Sequence, residues 1–407
     1  MSGKWPGGFI KKTAPTVVGP VDGEGGSASG IWTLDQAADY EQRGLWPMPT
    51  LSRELYAWGN NSVGQIGDGT TTDRSSPVQV GGITWSTVRG PMYGQHVLAT
   101  KTDGTLWAWG VNGYGQLGNS NTTSYSSPIQ VGALTTWSKM TGANQSSAAI
   151  KTDGTLWTWG YNGYGILGNG NVLPLSSPGQ VGTLTTWSDV SMGGHNTIAT
   201  KTDGTLWGWG RNAAGALGQG NIIAYSSPVQ IGALTTWLQA SAGYTCTLAI
   251  KTDGTLWAWG NNNQGELGDG TTTARSSPVQ VGALTTWLTV SAGLYSTYAT
   301  KTDGTLWAWG WNNNGQIGNG AQGTNISSPV QVGALTTWSH PVGGYQFTLA
   351  TKTDGTLWGW GQTSSGQLGN GIGGAPILSP VQIGALTTWK STGISRSRKS
   401  GYGITQG

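Results

Sequence analysis

The sequence predicts an all-β fold: a seven-bladed β-propeller over residues 51–407, closed by pairing of its N- and C-terminal strands, behind an extended arm of residues 1–50 that carries one short helix. Three observations predict it. Lys-Thr-Asp-Gly-Thr-Leu-Trp begins at Lys101 and returns at Lys151, Lys201, Lys251, Lys301 and Lys352, at a spacing of 50 residues four times and then 51. A degenerate copy, Leu55-Tyr56-Ala57-Trp58-Gly59, precedes them, and a fixed period of this length means one supersecondary unit repeated. Within each unit Asp-Gly separates two β-rich runs, the signal of a hairpin. The last unit ends on Tyr402-Gly403-Ile404-Thr405, which matches the strand before Asp-Gly, whereas Glu54–Trp58 matches the strand after it. Each is the partner that the other lacks.

Four strands per unit follow in order. Strand A precedes Asp-Gly (Ala99-Thr100-Lys101 in the first full copy), and strand B follows it (Thr105 to Trp109). A Gly/Asn-rich loop from Gly110 to Ser127 leads to strand C, Pro128-Ile129-Gln130-Val131. A Gly-Ala-Leu-Thr-Thr-Trp connection leads to strand D, which runs from Trp137 towards Gly142. Stacking seven such units buries a continuous core and removes exposed sheet edges.

Composition narrows the function classes. Charged residues are 9% of the chain, well below the roughly 25% typical of soluble domains, so Asn, Gln, Ser and Thr must supply the polar surface. A net charge of +3 without a basic cluster leaves no electrostatic footprint for nucleic acid. The single cysteine, Cys246, excludes an internal disulfide framework and reads as a small core or loop residue. No run reaches the ~18 apolar residues of a membrane span, and Met1–Thr50 lacks the apolar core of a signal peptide.

In the arm, Gly and Pro break regular structure up to Gly30, and Thr33–Arg43 offers one helix capped by Thr33 and stopped by Gly44. Trp32, Leu34, Tyr40 and Trp46 are its candidate attachment residues. Ser27-Ala28-Ser29-Gly30-Ile31-Trp32-Thr33-Leu34-Asp35-Gln36, with Gly44-Leu45-Trp46-Pro47, resembles a segment near the N-terminus of structural and tail-fibre-like proteins of bacteriophages, notably marine ones. That resemblance implies an attachment tag on a virion component, with other virion proteins as partners of residues 1–50.

The repeats resemble the regulator-of-chromosome-condensation repeat family. The matching residues are the Asp-Gly-x-Leu-Trp-x-Trp-Gly run, the Asn-x-x-Gly-Gln-Leu-Gly after it (Asn112 to Gly118), Ser-Pro-Val-Gln-Val and Val290-Ser291-Ala292-Gly293. The resemblance implies the propeller. It does not carry over the nucleotide-exchange activity found in the family, because no blade here has a comparable wedge insertion.

Of the 24 Trp, 20 fall at three repeated places, Trp107, Trp109 and Trp137 in the first full unit. Identical placement in every blade reads as core, because neighbouring blades cover both faces of each sheet. Trp311 is different: it stands in a loop where other units have Asn261 or Arg211, and is expected exposed.

No catalytic constellation emerges, and no cofactor is implied. His96, His195 and His340 lie at non-equivalent places without a carboxylate or Cys at ligand spacing, so no metal site is expected. The six repeated Asp residues each precede a turn Gly. Asp68 with Asp73 and Glu266 with Asp269 are the paired acids a glycan hydrolase or lyase would need. They belong to the first and fifth units, which are not neighbours in a ring.

What distinguishes one unit from another is loop sequence. The A–B turns and C–D connections are nearly constant, whereas the D–A and B–C loops differ and carry Tyr, His, Trp and Phe. Alternate connections of a meander share a face, so one face is variable and the other constant. Candidate binding residues on the variable face are Tyr93, His96, Tyr161, His195, Arg211, Tyr244, Tyr295, Trp311 and Tyr345. The functional expectation is a non-enzymatic phage virion protein of the tail or surface, whose arm anchors it and whose propeller binds a host-surface glycan or protein or a virion partner. The alternative is a cellular protein-binding propeller, such as an enzyme inhibitor or scaffold.

Overall fold

The computed structural model describes residues 52–82, 84–91, 94–395 and 399–406. The expectations for the arm, its helix, Trp32, Leu34, Tyr40 and Trp46, and for Tyr93, fall outside these residues. The described chain forms seven four-stranded antiparallel sheets and one three-residue 3-10 turn, Ala213–Gly215. In each sheet the order is D-A-B-C, for example Trp85–Arg89, His96–Lys101, Leu106–Gly110 and Tyr125–Gln130. We number this sheet blade 1 and continue to blade 6, Trp338–Gln382. D strands of successive blades touch one another, so D lines the axis and C the perimeter.

Blade 7 closes the ring from both ends of the chain. Trp389–Ser395 and Ser400–Thr405 supply D and A, and Leu55–Gly59 and Arg74–Val80 supply B and C. Leu55 pairs with Ile404, Ala57 with Tyr402 and Gly59 with Ser400, as the complementary end strands require.

The repeated motifs owe their constancy to contacts between blades. Trp109 is fully buried and donates its indole N–H to the carbonyl of Gln65 in the preceding B–C loop, 2.9 Å away. Equivalent bonds of 2.8–3.0 Å run from Trp159, Trp209, Trp259, Trp309, Trp360 and Trp58, so every blade is latched to its predecessor. The Gly that ends Gly-Gln-Leu-Gly is required twice over. Gly118 has φ +76°, and a Cβ there would lie 2.8 Å from the Trp159 indole nitrogen. Asn112 organises the loop beneath, accepting from the Leu117 N–H at 2.9 Å and donating to the Asn121 and Thr123 carbonyls at 3.0 and 2.9 Å.

Each A–B turn is a three-residue hairpin loop with Gly104 at φ +78°, closed by Gly104 N–H to Lys101 O and Lys101 N–H to Thr105 O, both at 3.0 Å. Asp103 accepts from the Thr105 N–H (2.9 Å) and hydroxyl (2.6 Å), the turn role read from sequence. Thr105 in turn accepts the Trp107 indole N–H at 2.8 Å. Lysine has a role that sequence reasoning missed: Nζ of Lys151 sits 3.6 Å from the Trp157 ring centre and 5.1 Å from that of Trp137, a cation–π sandwich present in blades 1–6. Burial of this ammonium lowers its pKa, and Asp153 opposes the shift.

The C–D connections lock onto these turns. Trp187 N–H donates to Gly154 O at 3.1 Å, and Thr152 N–H donates to Thr136 O at 2.8 Å. A Cβ on Gly154 would lie 2.1 Å from the Thr185 carbonyl. The constant face is therefore constant for structural reasons, and the contrast between faces does not by itself argue for binding. The ring's own ends lie on this face too: Trp85 N–H bonds Arg53 O at 3.0 Å, and Gln406 N–H bonds Thr388 O at 2.9 Å.

Candidate functional site on the variable face

At the variable face the backbone is regular while the side chains differ. The residue just after strand B donates its N–H to the carbonyl of the residue before strand A: Arg211 to His195 (2.9 Å), Tyr161 to Gln145 and Trp311 to Tyr295 (both 2.8 Å). Each blade thus sets two adjacent side chains on the rim, whatever they are.

Those side chains form one aromatic arc. Tyr114 meets Tyr161 with ring centres 5.2 Å apart, and Tyr161 meets Tyr164 at 6.4 Å. Tyr164 meets His195 at 5.1 Å, and His195 meets Tyr244 at 6.5 Å. The line continues through Tyr295 (6.1 Å) and Trp311 (6.0 Å) to Tyr345 (5.3 Å). It runs through blades 1 to 6 and stops at the closure blade, where the equivalent places hold Asn60 and Lys399. Most contacts are edge-to-face, each worth about 0.5–1.5 kcal/mol beyond area burial. Burial first and the Arg211 guanidinium second hold His195 below the usual imidazole range. Burial, then the neighbouring Tyr164 and Tyr114, raises Tyr161.

The arc brings together seven of the residues singled out from sequence: Tyr161, His195, Arg211, Tyr244, Tyr295, Trp311 and Tyr345. Arg211 joins by stacking on Tyr164, with its guanidinium carbon 5.1 Å from the ring centre. Trp311 is half-buried between Tyr295 and Tyr345 rather than standing free as expected. Tyr114 and Tyr164, each about two-fifths exposed (43% and 40%), were missed. Their signal was an aromatic four positions beyond the Gly that ends strand B, where later blades have Ala214, Gln264 and Asn314.

His96 is a correction. It opens strand A in blade 1, so the pleat turns it inward, and it is fully buried. Its Nε2 lies 2.9 Å from the Ser147 hydroxyl, which donates its own proton to the Gln116 carbonyl at 2.8 Å. Nε2 must therefore be the donor, leaving Nδ1 buried without a partner among the described residues. Desolvation lowers the His96 pKa to about 3, so it is a neutral core residue.

The acids considered for hydrolysis are engaged in loop structure. Asp68 pairs with Arg74 at 2.6 Å and Asp269 with Arg275 at 2.9 Å, and Asp73 accepts the Asn61 N–H at 2.7 Å. Glu266 is buried where other blades have Gln116 and Gln316, and burial raises its pKa. Cys246 is a buried core residue beside Leu248 and Ala292. Among the described residues no three His, Cys, Asp or Glu group as metal ligands, and no helix is long and apolar enough to cross a membrane.

Fold and site together define a closed repeat propeller with one interlocked face and one variable, aromatic face. Its repeats match the model of the regulator of chromosome condensation (RCC1) repeat over residues 54–89, 103–150, 153–200, 203–250, 253–300 and 303–351, more than half of the chain, and the chain belongs to that repeat family. Curated relatives match over short stretches. The ultraviolet-B receptor UVR8 of Arabidopsis thaliana is 34% identical over 83 residues, 20% of this chain and 19% of the receptor. Human protein RCC2 is 34% identical over 84 residues, 20% of this chain and 16% of RCC2. The human E3 ubiquitin-protein ligase HERC2 is 32% identical over 82 residues, 19% of this chain and 2% of the ligase. The matches thus span no more than about a fifth of these relatives' own length. Among solved structures, yeast RCC1 (Prp20), crystallised bound to Kap60, superposes with TM-score 0.76 at 16% identity, covering 88% of this chain and 89% of that one. Human WBSCR16 also gives 0.76, at 18% identity over 87% and 99%. At these identities the likeness is one of fold.

Proposed function

We propose that the chain is a non-enzymatic binding protein whose variable face is its recognition surface. The observation that supports this is the continuous aromatic arc on one face of six blades. Half-buried Tyr and Trp offer large amphipathic contact at low entropic cost, and the fold does not call for them, because Gln, Asn and Thr occupy the same positions in other blades. The test is binding of the full chain to a glycan array and to a displayed random-peptide library. Binders that lose at least tenfold in affinity to Tyr295→Ala, Trp311→Ala or Tyr164→Ala support the reading. Binders indifferent to all three overturn it.

A more specific reading is that the protein is a phage virion component anchored by residues 1–50, as the resemblance of Ser27–Pro47 suggests. The first and last described residues of the ring, near Arg53 and Gln406, lie on the constant face, opposite the arc. Mass spectrometry of purified particles tests this, and absence of the chain from them rejects the virion reading while leaving the binding face intact. The alternative, a cellular protein-binding propeller, shares that face and is the reading that the matches to RCC2 and RCC1 favour.

A further inference from the structure

The B–C loops of blades 2 and 3 expose apolar residues that their fold does not need. Val172 and Leu173 are 55% and 67% exposed, and Ile222 and Ile223 are 71% and 61%. The equivalent pair is Thr122-Thr123 in blade 1, Thr272-Thr273 in blade 4 and Thr71-Thr72 in blade 7. Loop geometry is the same with either chemistry. Asn171 accepts the Leu173 N–H at 2.8 Å and Asn221 the Ile223 N–H at 2.8 Å, as Asn121 accepts the Thr123 N–H at 2.9 Å. Threonine would satisfy the turn and solvate better. Single exposed aliphatics are ordinary, but four at matched places on adjoining blades mark a contact surface.

The two loops are physically joined. Gly170 N–H donates to Ser226 O at 2.8 Å, seating the blade 2 loop on the strand that follows Ile222-Ile223. Between the blades, Arg211 stacks on Tyr164 next to His195. Arg211 has no ion-pair partner among the described residues, and the D–A and B–C connections of blades 1–3 contain no Asp or Glu. Asn212, next to Arg211, donates to the Asn221 carbonyl at 3.0 Å, just before Ile222-Ile223, so the guanidinium and the aliphatic pair belong to one loop. A guanidinium held over an aromatic ring in such a loop fits a carboxylate that arrives with apolar neighbours. A neutral glycan would use the tyrosines but gains nothing from exposed Val, Leu and Ile.

We propose that blades 2 and 3 form a docking site for a protein segment in which an Asp or Glu, flanked by aliphatic or aromatic residues, pairs with Arg211 while its neighbours cover Val172–Leu173 and Ile222–Ile223. This rests on the variable face being the recognition surface and assigns its protein-binding sector.

The test is selection of a displayed random 16-residue peptide library on the full chain, followed by titration of synthetic hits against three variants. These are Ile222→Thr/Ile223→Thr, which copies the sequence of other blades and keeps the loop, Arg211→Gln, and Trp311→Ala on the far side of the arc. The inference expects hits that carry an acidic residue beside apolar ones and lose at least tenfold in affinity to each of the first two variants but less than twofold to the third. Hits sensitive only to Trp311→Ala overturn it while leaving the variable face as a binding surface. Hits indifferent to all three overturn both readings. No enriched peptide, or concentration-dependent self-association abolished by the double Thr variant, rejects an acidic partner segment, the latter in favour of a second copy.

Discussion

The indole N–H of Trp58 donates to the carbonyl of Gln367, 3.0 Å away and 309 positions later in the chain. It is the same bond that Trp109 makes to Gln65 across 44 positions, so the seam of the ring is built like every other blade junction. Tyr402 adds a second tie across the seam, its hydroxyl donating to the Gln65 carbonyl at 3.0 Å.

Deleting residues 401–407 removes most of strand A of blade 7, the Tyr402 bond and the Gly401 backbone that packs on Trp58. Leu55–Gly59 then becomes an unpaired edge. The truncated chain is expected to unfold or aggregate. A thermal melt and size-exclusion profile matching the full chain would place closure elsewhere.

Latch and arc residues separate by readout. Trp259→Ala removes a fully buried indole and its hydrogen bond, and is expected to destabilise by roughly 3–5 kcal/mol in denaturant titration. Trp311→Ala, Tyr295→Ala and Tyr345→Ala remove half-buried rings and are expected to shift stability by about 1 kcal/mol or less while weakening partners that engage the arc in blades 5 and 6. The reverse pattern would mean that core and surface are exchanged.

His96 makes stability depend on acid. Its folded pKa, about 3, lies below the unfolded 6.5, so below pH 6.5 the unfolded chain binds a proton that the folded chain refuses. The stability it contributes is present above pH 6.5 and drains away as pH falls towards 3, by up to a few kcal/mol. His96→Asn, which puts in blade 1 the residue that blade 3 has at Asn196, is expected to flatten the stability profile between pH 6.5 and 3. An unchanged slope would show that other groups set it.

Glu266 has the opposite sign. Burial raises its folded pKa above the unfolded value, so stability is lost as pH rises past about 4.5 and the unfolded carboxyl ionises first. Glu266→Gln, matching Gln116 and Gln316, is expected to raise the melting temperature at pH 7 and to change little at pH 4. A lower melting temperature at both would mean that the carboxylate is held by a bond that the amide cannot make.

The period of Lys-Thr-Asp-Gly-Thr-Leu-Trp, the Asp-Gly turns and the complementary ends at Leu55 and Ile404 determined blade number, strand order and the closing pair from sequence alone. Turn chemistry and strand alternation are local, and a repeat converts local regularity into a ring. Sequence also separated the two faces and named seven of the arc residues, because alternate loops of a meander share a side. Burial within a loop was not legible. His96 and His195 both lie at D–A junctions, yet His96 opens its strand and turns inward while His195, one position before its own strand, stays on the rim in the arc. Neither was the Lys–Trp sandwich, which needs Lys151 to cross to the ring two residues diagonal on strand B. Nor was the reason for the constant face, where Gly154 and Thr185 approach too closely for any side chain between them. These outcomes depend on distances across the strands of a blade and between neighbouring blades, which only the folded ring sets.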